Sequence, residues 1–146
     1  MTSDLRSWTA FVRASAVIMR RLSSELVRDH GLTINDYEVL LFLSNAPERR
    51  MRRVDLAGSV LVTASGITRI LQGLEREGLV SKATCPTDAR VSYACLTDAG
   101  HQRFLAARRS HLEGVARLFL DRFDEQERGT LAELLERLPG NEPEAG

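Results

Sequence analysis

One segment of this chain, residues 63–78 with the sequence TASGITRILQGLEREG, has the pattern of an amphipathic helix. Its apolar residues recur at helical spacing and share one face: Ile67, Ile70, Leu71 and Leu74. Its opposite face carries hydroxyl, amide and guanidinium groups: Ser65, Thr68, Arg69, Gln72 and Arg76. Thr63 is the expected amino-terminal cap and Gly78 the expected stop. Such a polar face can bind base edges and phosphates in a DNA major groove, but in isolation it is more often a solvated surface.

The segments on both sides of this helix make the DNA-binding interpretation more specific. Residues 54–60 have the pattern of a short helix, and two short helices joined by a tight turn form a helix-turn-helix. After the second helix come two strand-like runs, LVSKATC and VSYACLT, separated by the polar turn 86–90 that begins with Pro86. Arg90 lies in this turn, where an arginine can enter a narrow, electronegative minor groove. A helix-turn-helix followed by a β-hairpin predicts a winged helix.

Three stretches in this order resemble the multiple-antibiotic-resistance regulator (MarR) family: GLTINDYEVLLFL, TASGITRILQGLEREGLV and CPTDARVSYACLTDAG. The resemblance covers nearly the whole chain and implies a DNA-binding transcriptional regulator. The family's wing carries an Asp-x-Arg motif, here Asp88 and Arg90, in which the acid orients the arginine. Some members have a second acid and arginine just before this pair, where this chain has Cys85 and Thr87. That departure implies fewer wing contacts than in those members.

We therefore predict that the second helix and the wing contact DNA. The predicted contact residues are Ser65, Thr68, Arg69, Gln72 and Arg90, with Asp88 orienting Arg90. Arg52 and Arg53, in the basic run 48–53, are further candidates for phosphate contacts, with a solvated basic loop as the alternative. By resemblance to the family, this run forms a short strand that joins the wing sheet.

Apolar stripes outside this part predict long helices at both ends of the chain. The stripe of the first helix has heptad spacing: Leu5, Trp8, Val12, Ser15, Met19, Leu22 and Leu26. Later helices are expected to begin at the caps Thr33, Thr97 and Asp124, the second of them running to about Phe123 and the last ending at Pro139. We predict one domain over residues 1–146, mainly α with a small β-hairpin wing: a winged helix-turn-helix (33–97) flanked by dimerisation helices (4–30 and 98–139).

The resemblance also implies a second copy of the chain. In the family the helical arms interleave to form a homodimer. The second helices of the two helix-turn-helix motifs would be related by symmetry. They would bind a pseudo-palindromic operator in double-stranded DNA, with half-sites about one helical turn apart.

Charge is segregated along the chain, although the formal net charge is zero. Residues 49–90 carry eight Lys and Arg against four Asp and Glu, whereas residues 113–146 carry four Arg against nine Asp and Glu. The basic part therefore coincides with the predicted DNA-binding part. No apolar run has the length of a signal peptide or a membrane span, so we expect a cytoplasmic location and no membrane partner.

A small aromatic or anionic ligand is a further expectation from the resemblance, at the place where the arms meet the winged part. The predicted lining is Trp8, Phe11, Val12, Tyr37 and Leu41, with Arg13 or Arg6 available to pair with an anion. The alternative is that Trp8 and Tyr37 are ordinary core aromatics.

The two cysteines, Cys85 and Cys95, are expected to be reduced. If Cys85 pairs with Val91 across the hairpin, Cys95 lies opposite Ser81, and the thiols are roughly 13 Å apart, too far for a disulfide. A cysteine-based redox-sensing regulator remains an alternative function.

No cofactor and no metal ion are predicted, because the histidines are scattered and lack zinc-site spacing. His30 and His111, with Glu25 and Glu113 nearby in sequence, are the alternative. No phosphate loop or nucleophile motif indicates an enzyme. The predicted function is a sequence-specific DNA-binding transcriptional regulator, a repressor relieved by a ligand. The competing class is a helical dimer that binds DNA non-specifically or binds other proteins.

Overall fold

Six α-helices and three β-strands lie within residues 3–60, 64–85 and 87–141, which the computed structural model describes. The elements are α1 (Ser3–His30), α2 (Ile34–Asn45), β1 (Arg50–Arg52), α3 (Arg53–Ser59), α4 (Ala64–Arg76), β2 (Val80–Cys85), β3 (Asp88–Leu96), α5 (Asp98–Leu118) and α6 (Glu125–Leu135). The chain divides into two units, Met1–His111 and Leu112–Gly146. Among the described helices, none has both the length and the apolar character needed to cross a lipid bilayer.

Two helices begin at the capping boxes that the sequence predicts. The Thr33 hydroxyl accepts the Asp36 N–H at 3.1 Å, and the Asp36 carboxylate accepts the Thr33 N–H at 2.9 Å. Asp124 and Glu127 form the same reciprocal pair before α6, at 2.8 and 3.0 Å. Each box satisfies two backbone donors that a helix start would otherwise leave open. Helix α6 ends at Leu135, earlier than the predicted proline–glycine stop. The predicted cap of α4, at position 63, lies outside the described residues.

Helix α5 begins as predicted but is shorter than predicted. The Thr97 hydroxyl accepts the Gly100 N–H at 3.0 Å and so caps its first turn. The expected end near Phe123 is wrong, because the helix stops at Leu118. Phe119 has φ −133° and ψ −66°, which lies outside the helical region, and a short 3₁₀ turn follows.

The three strands form one antiparallel sheet in the order β1-β3-β2, so the predicted hairpin wing and the short strand before α3 are both present. Ser81 pairs with Cys95, as the sequence predicts. The predicted pairing of Cys85 with Val91 is wrong, since Cys85 pairs with Asp88. A register shift just before Cys85 bulges β3, and the strand therefore begins at the wing tip instead of at Val91. Cys95 carries a free thiol.

The core of the first unit joins the helix-turn-helix to the sheet and to the start of α5. Its most buried side chains are Leu26, Leu32, Val39, Leu40, Leu43, Leu56, Ile67, Leu71, Leu74, Leu79, Val80, Ala94, Phe104 and Ala107. Burying one leucine of this kind stabilises the fold by roughly 1.5–3 kcal/mol. Three of the four residues predicted for the apolar face of α4 are buried and the fourth, Ile70, is partly buried against the core, so the core fixes which side of α4 faces outward.

The apolar stripe of α1 is divided between core and surface. Leu22 and Leu26, near its carboxyl end, are 5% and 2% exposed. Toward its amino end the apolar side chains are 40–61% exposed: Leu5, Trp8, Phe11, Val12, Val17 and Met19. The first part of α1 therefore presents an apolar surface to solvent, a costly arrangement unless another surface covers it.

Candidate nucleic-acid interface

Helix α4 presents its polar face to solvent. Its predicted contact residues are all exposed: Ser65, Thr68, Arg69 and Gln72, followed by Arg76 one turn later. Opposite them, Leu71 and Leu74 are 0% and 1% exposed and anchor the helix in the core. The arrangement offers hydroxyl, amide and guanidinium groups along one rigid helix, the set of groups that can read base edges.

An ion pair joins the two helices of the helix-turn-helix. Arg53, at the start of α3, places Nη1 3.3 Å from Oε1 of Glu75 on α4. The two side chains are only 20% and 23% exposed. The sequence suggested that Arg53 contacts phosphate, but in the structure its guanidinium already has an acidic partner inside the protein. A half-buried pair of this kind is worth about 1 kcal/mol and holds α3 against α4.

Arg52 is held by a different acid. Its Nε and Nη2 lie 2.9 and 3.2 Å from the two carboxylate oxygens of Asp55, a bidentate pair at (i, i+3). The hydrogen bonds from Arg52 lower the pKa of Asp55 below its ordinary value of 3.8. Arg52 remains 49% exposed, so it can still contact a second anion.

The wing forms the ion pair expected between Asp88 and Arg90. Arg90 Nε and Nη2 lie 3.1 and 3.3 Å from the two oxygens of the Asp88 carboxylate. The Arg90 backbone N–H also donates to Asp88, at 3.0 Å. The Arg90 side chain is 92% exposed, so its guanidinium is accessible to a ligand in a restrained orientation.

Replacing Asp88 with asparagine should weaken DNA binding roughly fivefold, because Arg90 loses a charge-assisted bidentate partner. Hydrogen bonds from the Arg90 side chain, and then from its backbone, lower the pKa of Asp88 below its ordinary value of 3.8. A lowered carboxyl pKa means that the pair is intact above that value and is lost only as pH falls through it. Fluorescence anisotropy between pH 5 and 8 should therefore show a constant difference between wild type and variant.

The matched control for this prediction is Asp29→Asn. Asp29 forms a similar bidentate pair with Arg28 at the end of α1, with N–O distances of 2.8 and 3.0 Å. Its substitution should leave DNA binding unchanged. Equal affinities of Asp88→Asn and wild type would contradict the orienting role of Asp88.

The residues predicted to line a ligand site lie in two different environments. The Trp8 and Phe11 rings are 6.3 Å apart and both are exposed, while Arg13 is exposed on the same helix. Tyr37 is 5% exposed and packs against Phe104, with ring centroids 5.5 Å apart. Tyr37 is thus a core residue of the first unit, and burial raises its pKa. Of the other two residues in the predicted lining, Val12 is exposed and Leu41 is half-buried.

The histidines make contacts within the protein. His30 Nε2 hydrogen-bonds to the Ser110 hydroxyl, and His111 packs against Tyr37 with ring centroids 4.6 Å apart. Burial lowers the pKa of His111, with a smaller opposing effect from Glu25. Within the described parts of the chain, no group of three or more His, Cys, Asp or Glu is placed to hold a metal ion.

Sequence reasoning missed the acidic partners Asp55 and Glu75. The (i, i+3) spacing of Arg52 and Asp55 at a helix start was an available signal. Arg53 and Glu75 are 22 residues apart, and only the packing of α3 on α4 brings them together.

A helix-turn-helix with an exposed polar second helix, followed by a wing that carries an oriented arginine, defines a winged-helix DNA-binding protein. Residues 30–91 match the family model described as "MarR family". The chain belongs to the MarR family of DNA-binding transcriptional regulators, and it is not an enzyme. The fold predicted from the sequence, mainly α with a small wing, is confirmed.

Three similar proteins illustrate the relationship. The HTH-type transcriptional regulator YkoM of Bacillus subtilis is 30% identical over 111 residues, which cover 73% of this chain and 70% of that protein. The HTH-type transcriptional repressor YetL of the same organism is 29% identical, with 82% and 74% covered. The structure of Sco3205 from Streptomyces coelicolor, a MarR family regulator in complex with DNA, is similar with a TM-score of 0.89 and 27% identity. That similarity covers 99% of this chain and 95% of the other.

Proposed function

We propose that this protein is a homodimeric repressor that binds a pseudo-palindromic operator and is released from it by a small ligand. The observation that carries the proposal is the exposed polar face of α4 combined with the oriented Arg90 on the wing. Helix α4 reads the major groove through Ser65, Thr68, Arg69 and Gln72, and Arg90 enters the adjacent minor groove. The similarity to the repressor YetL supports repression. A regulator of this kind acts in the compartment that holds the DNA, which supports the expected cytoplasmic location.

The apolar surface at the amino end of α1 supports the homodimer. Trp8 is 61% exposed and Leu5 is 50% exposed, and both belong to the heptad stripe. A stripe with heptad spacing on a long helix packs well against another helix. In a two-fold dimer the same surface of each copy forms the interface, and each α4 helix then binds one half-site.

Introducing charge into this stripe, with Leu5→Glu and Trp8→Glu together, should convert the dimer to a monomer. Both side chains are at least half exposed, so the first unit should keep its fold. Truncating α1 is a poorer test, because Leu22 and Leu26 belong to the buried core. Sedimentation velocity gives the mass and circular dichroism the helix content. Arg20→Glu, an exposed polar position on the same helix, is the control and should remain dimeric. A double variant that stays dimeric would rule out this surface as the interface.

A small aromatic or anionic ligand is the proposed means of release. The exposed pair Trp8 and Phe11 offers aromatic surface, and Arg13 on the same helix offers a cation. Val12, also exposed on α1, completes the accessible part of the proposed lining, whereas Tyr37 lies in the core and Leu41 is half-buried. A ligand that binds one dimer conformation better than another shifts the distance between the two α4 helices, and so the DNA affinity.

The experiment that tests the function is selection of bound duplexes from a random DNA pool at near-physiological salt. We expect enrichment of an inverted repeat with half-site centres about one helical turn apart. Binding that shows no sequence preference and disappears as salt rises would instead support the non-specific alternative. The selected operator also allows redox sensing to be tested. If peroxide changes the affinity of the wild type for this operator, Cys95→Ser should abolish that change.

A further inference from the structure

A small cleft opens beside the wing, where β1 leads into α3 and the first half of β3 passes beside it. Its volume is about 260 Å³, and its lining residues are Arg52, Arg53, Val54, Arg90, Val91 and Ser92. This volume is below the usual range for a drug-sized ligand and suits one small group. The cleft lies between the two features assigned to DNA reading, the helix-turn-helix and the wing.

The charge of the cleft favours an anion. Three of the six lining residues are arginines, and none is acidic. Each arginine is held by a carboxylate outside the lining, Asp55, Glu75 or Asp88. A bidentate pair such as Arg52–Asp55 uses two of the five guanidinium N–H donors, which leaves three that this pair does not use. The acidic partners therefore restrain the arginines without using up their donors.

The rest of the lining is apolar or hydroxylic. Val54 is 69% exposed on α3, beside two arginines, and makes no contribution to the core. Val91 is half-buried on β3, and Ser92 supplies a hydroxyl. A DNA strand alternates charged phosphates with largely apolar deoxyribose rings. The cleft thus has both kinds of surface that one nucleotide of backbone requires.

We propose that this cleft binds one backbone phosphate of the DNA, with the adjoining deoxyribose against Val54. Arg52 is the phosphate ligand. Arg53 is a positioning residue, since its pair with Glu75 sets where α3 begins. This phosphate contact lies next to the groove that Arg90 enters. It therefore fixes how deeply the wing enters that groove and at which base pair. This inference deepens the proposed function and rests on it.

Measuring affinity against salt concentration tests the phosphate contact directly. Each neutralised phosphate contributes about 0.9 to the slope of log K against log salt. We expect Arg52→Ala to lower that slope by about this amount per half-site and to weaken binding roughly tenfold, equally on the selected operator and on random duplex. The double variant Arg52→Ala/Asp55→Ala keeps the net charge and should remain as weak. Full recovery of affinity in the double variant would overturn the proposal, because net charge alone would then explain the effect.

The pair Arg28–Asp29 supplies matched controls. It is bidentate, exposed, and located on α1, outside the cleft lining. Arg28→Ala and Arg28→Ala/Asp29→Ala should leave the salt slope unchanged. A fall in slope equal to that of Arg52→Ala would show a general charge effect and would also overturn the proposal.

Replacing single DNA phosphates with uncharged methylphosphonates should locate the phosphate that the cleft binds. Operators that carry a single methylphosphonate are compared with wild type and Arg52→Ala. We expect one position per half-site that weakens wild-type binding but costs Arg52→Ala nothing further. Independent, additive effects at every position would overturn the cleft assignment. If the wild type instead shows no sequence preference, the proposed function fails, while the slope on random duplex still decides whether the cleft binds phosphate.

Discussion

Replacing Arg90 with alanine should weaken operator binding by about tenfold to a hundredfold, the largest binding defect that we expect from one side chain. The guanidinium is 92% exposed and is aimed by two hydrogen bonds to Asp88, so it contributes almost nothing to folding and is prearranged for a groove. Anisotropy on the selected operator measures the affinity. Circular dichroism should show unchanged helix content.

The control for this result is Arg28→Ala, which removes a similarly paired, 70% exposed arginine from α1. It should bind as the wild type does. If Arg90→Ala also binds as the wild type does, the wing does not contact DNA in this protein. If Arg90→Ala weakens binding only on A·T-rich flanks, the defect reports minor-groove shape, because narrow A-tract grooves attract arginine most strongly.

Replacing Gly100 with alanine should lower the free energy of unfolding by about 3 kcal/mol or more. A Cβ atom at this position would lie 2.1 Å from the Leu79 carbonyl oxygen and 2.8 Å from Leu96 Cδ1. The oxygen is not free to move aside, since the Thr97 N–H donates to it at 3.1 Å. The start of α5 would therefore have to separate from the base of the wing. Urea unfolding followed by circular dichroism measures the change.

Gly129→Ala is the matched control for Gly100→Ala. Gly129 also lies inside a helix, α6, but a Cβ there would meet no described atom within 4 Å. That substitution should stabilise by about 0.5–1 kcal/mol, because alanine favours the helix. Similar unfolding free energies for the two variants would contradict the close approach of α5 to the base of the wing.

Much of the fold could be predicted from the sequence because its signals are local. The capping boxes Thr33–Asp36 and Asp124–Glu127 span one helical turn, and the period of α4 separates its core face from its polar face. The candidate contacts on α4 follow from the same period. Other details depend on distant partners. The bulge before Cys85, the early end of α5 at Leu118 and the split stripe of α1 were beyond local reasoning.

The sequence by itself determined where most of the helices begin, which face of α4 is polar, and that Asp88 stands two residues from Arg90. These are consequences of backbone periodicity and short-range hydrogen bonds, which the order of residues specifies directly. Only the tertiary structure decided that Arg53 pairs with Glu75 on α4, whereas the adjacent Arg52 pairs with Asp55 of α3, and that both line a cleft beside the wing. The two arginines are adjacent in the sequence and have the same side chain. What distinguishes them is the packing of α3 between α4 and the sheet, a product of long-range burial that no local pattern encodes.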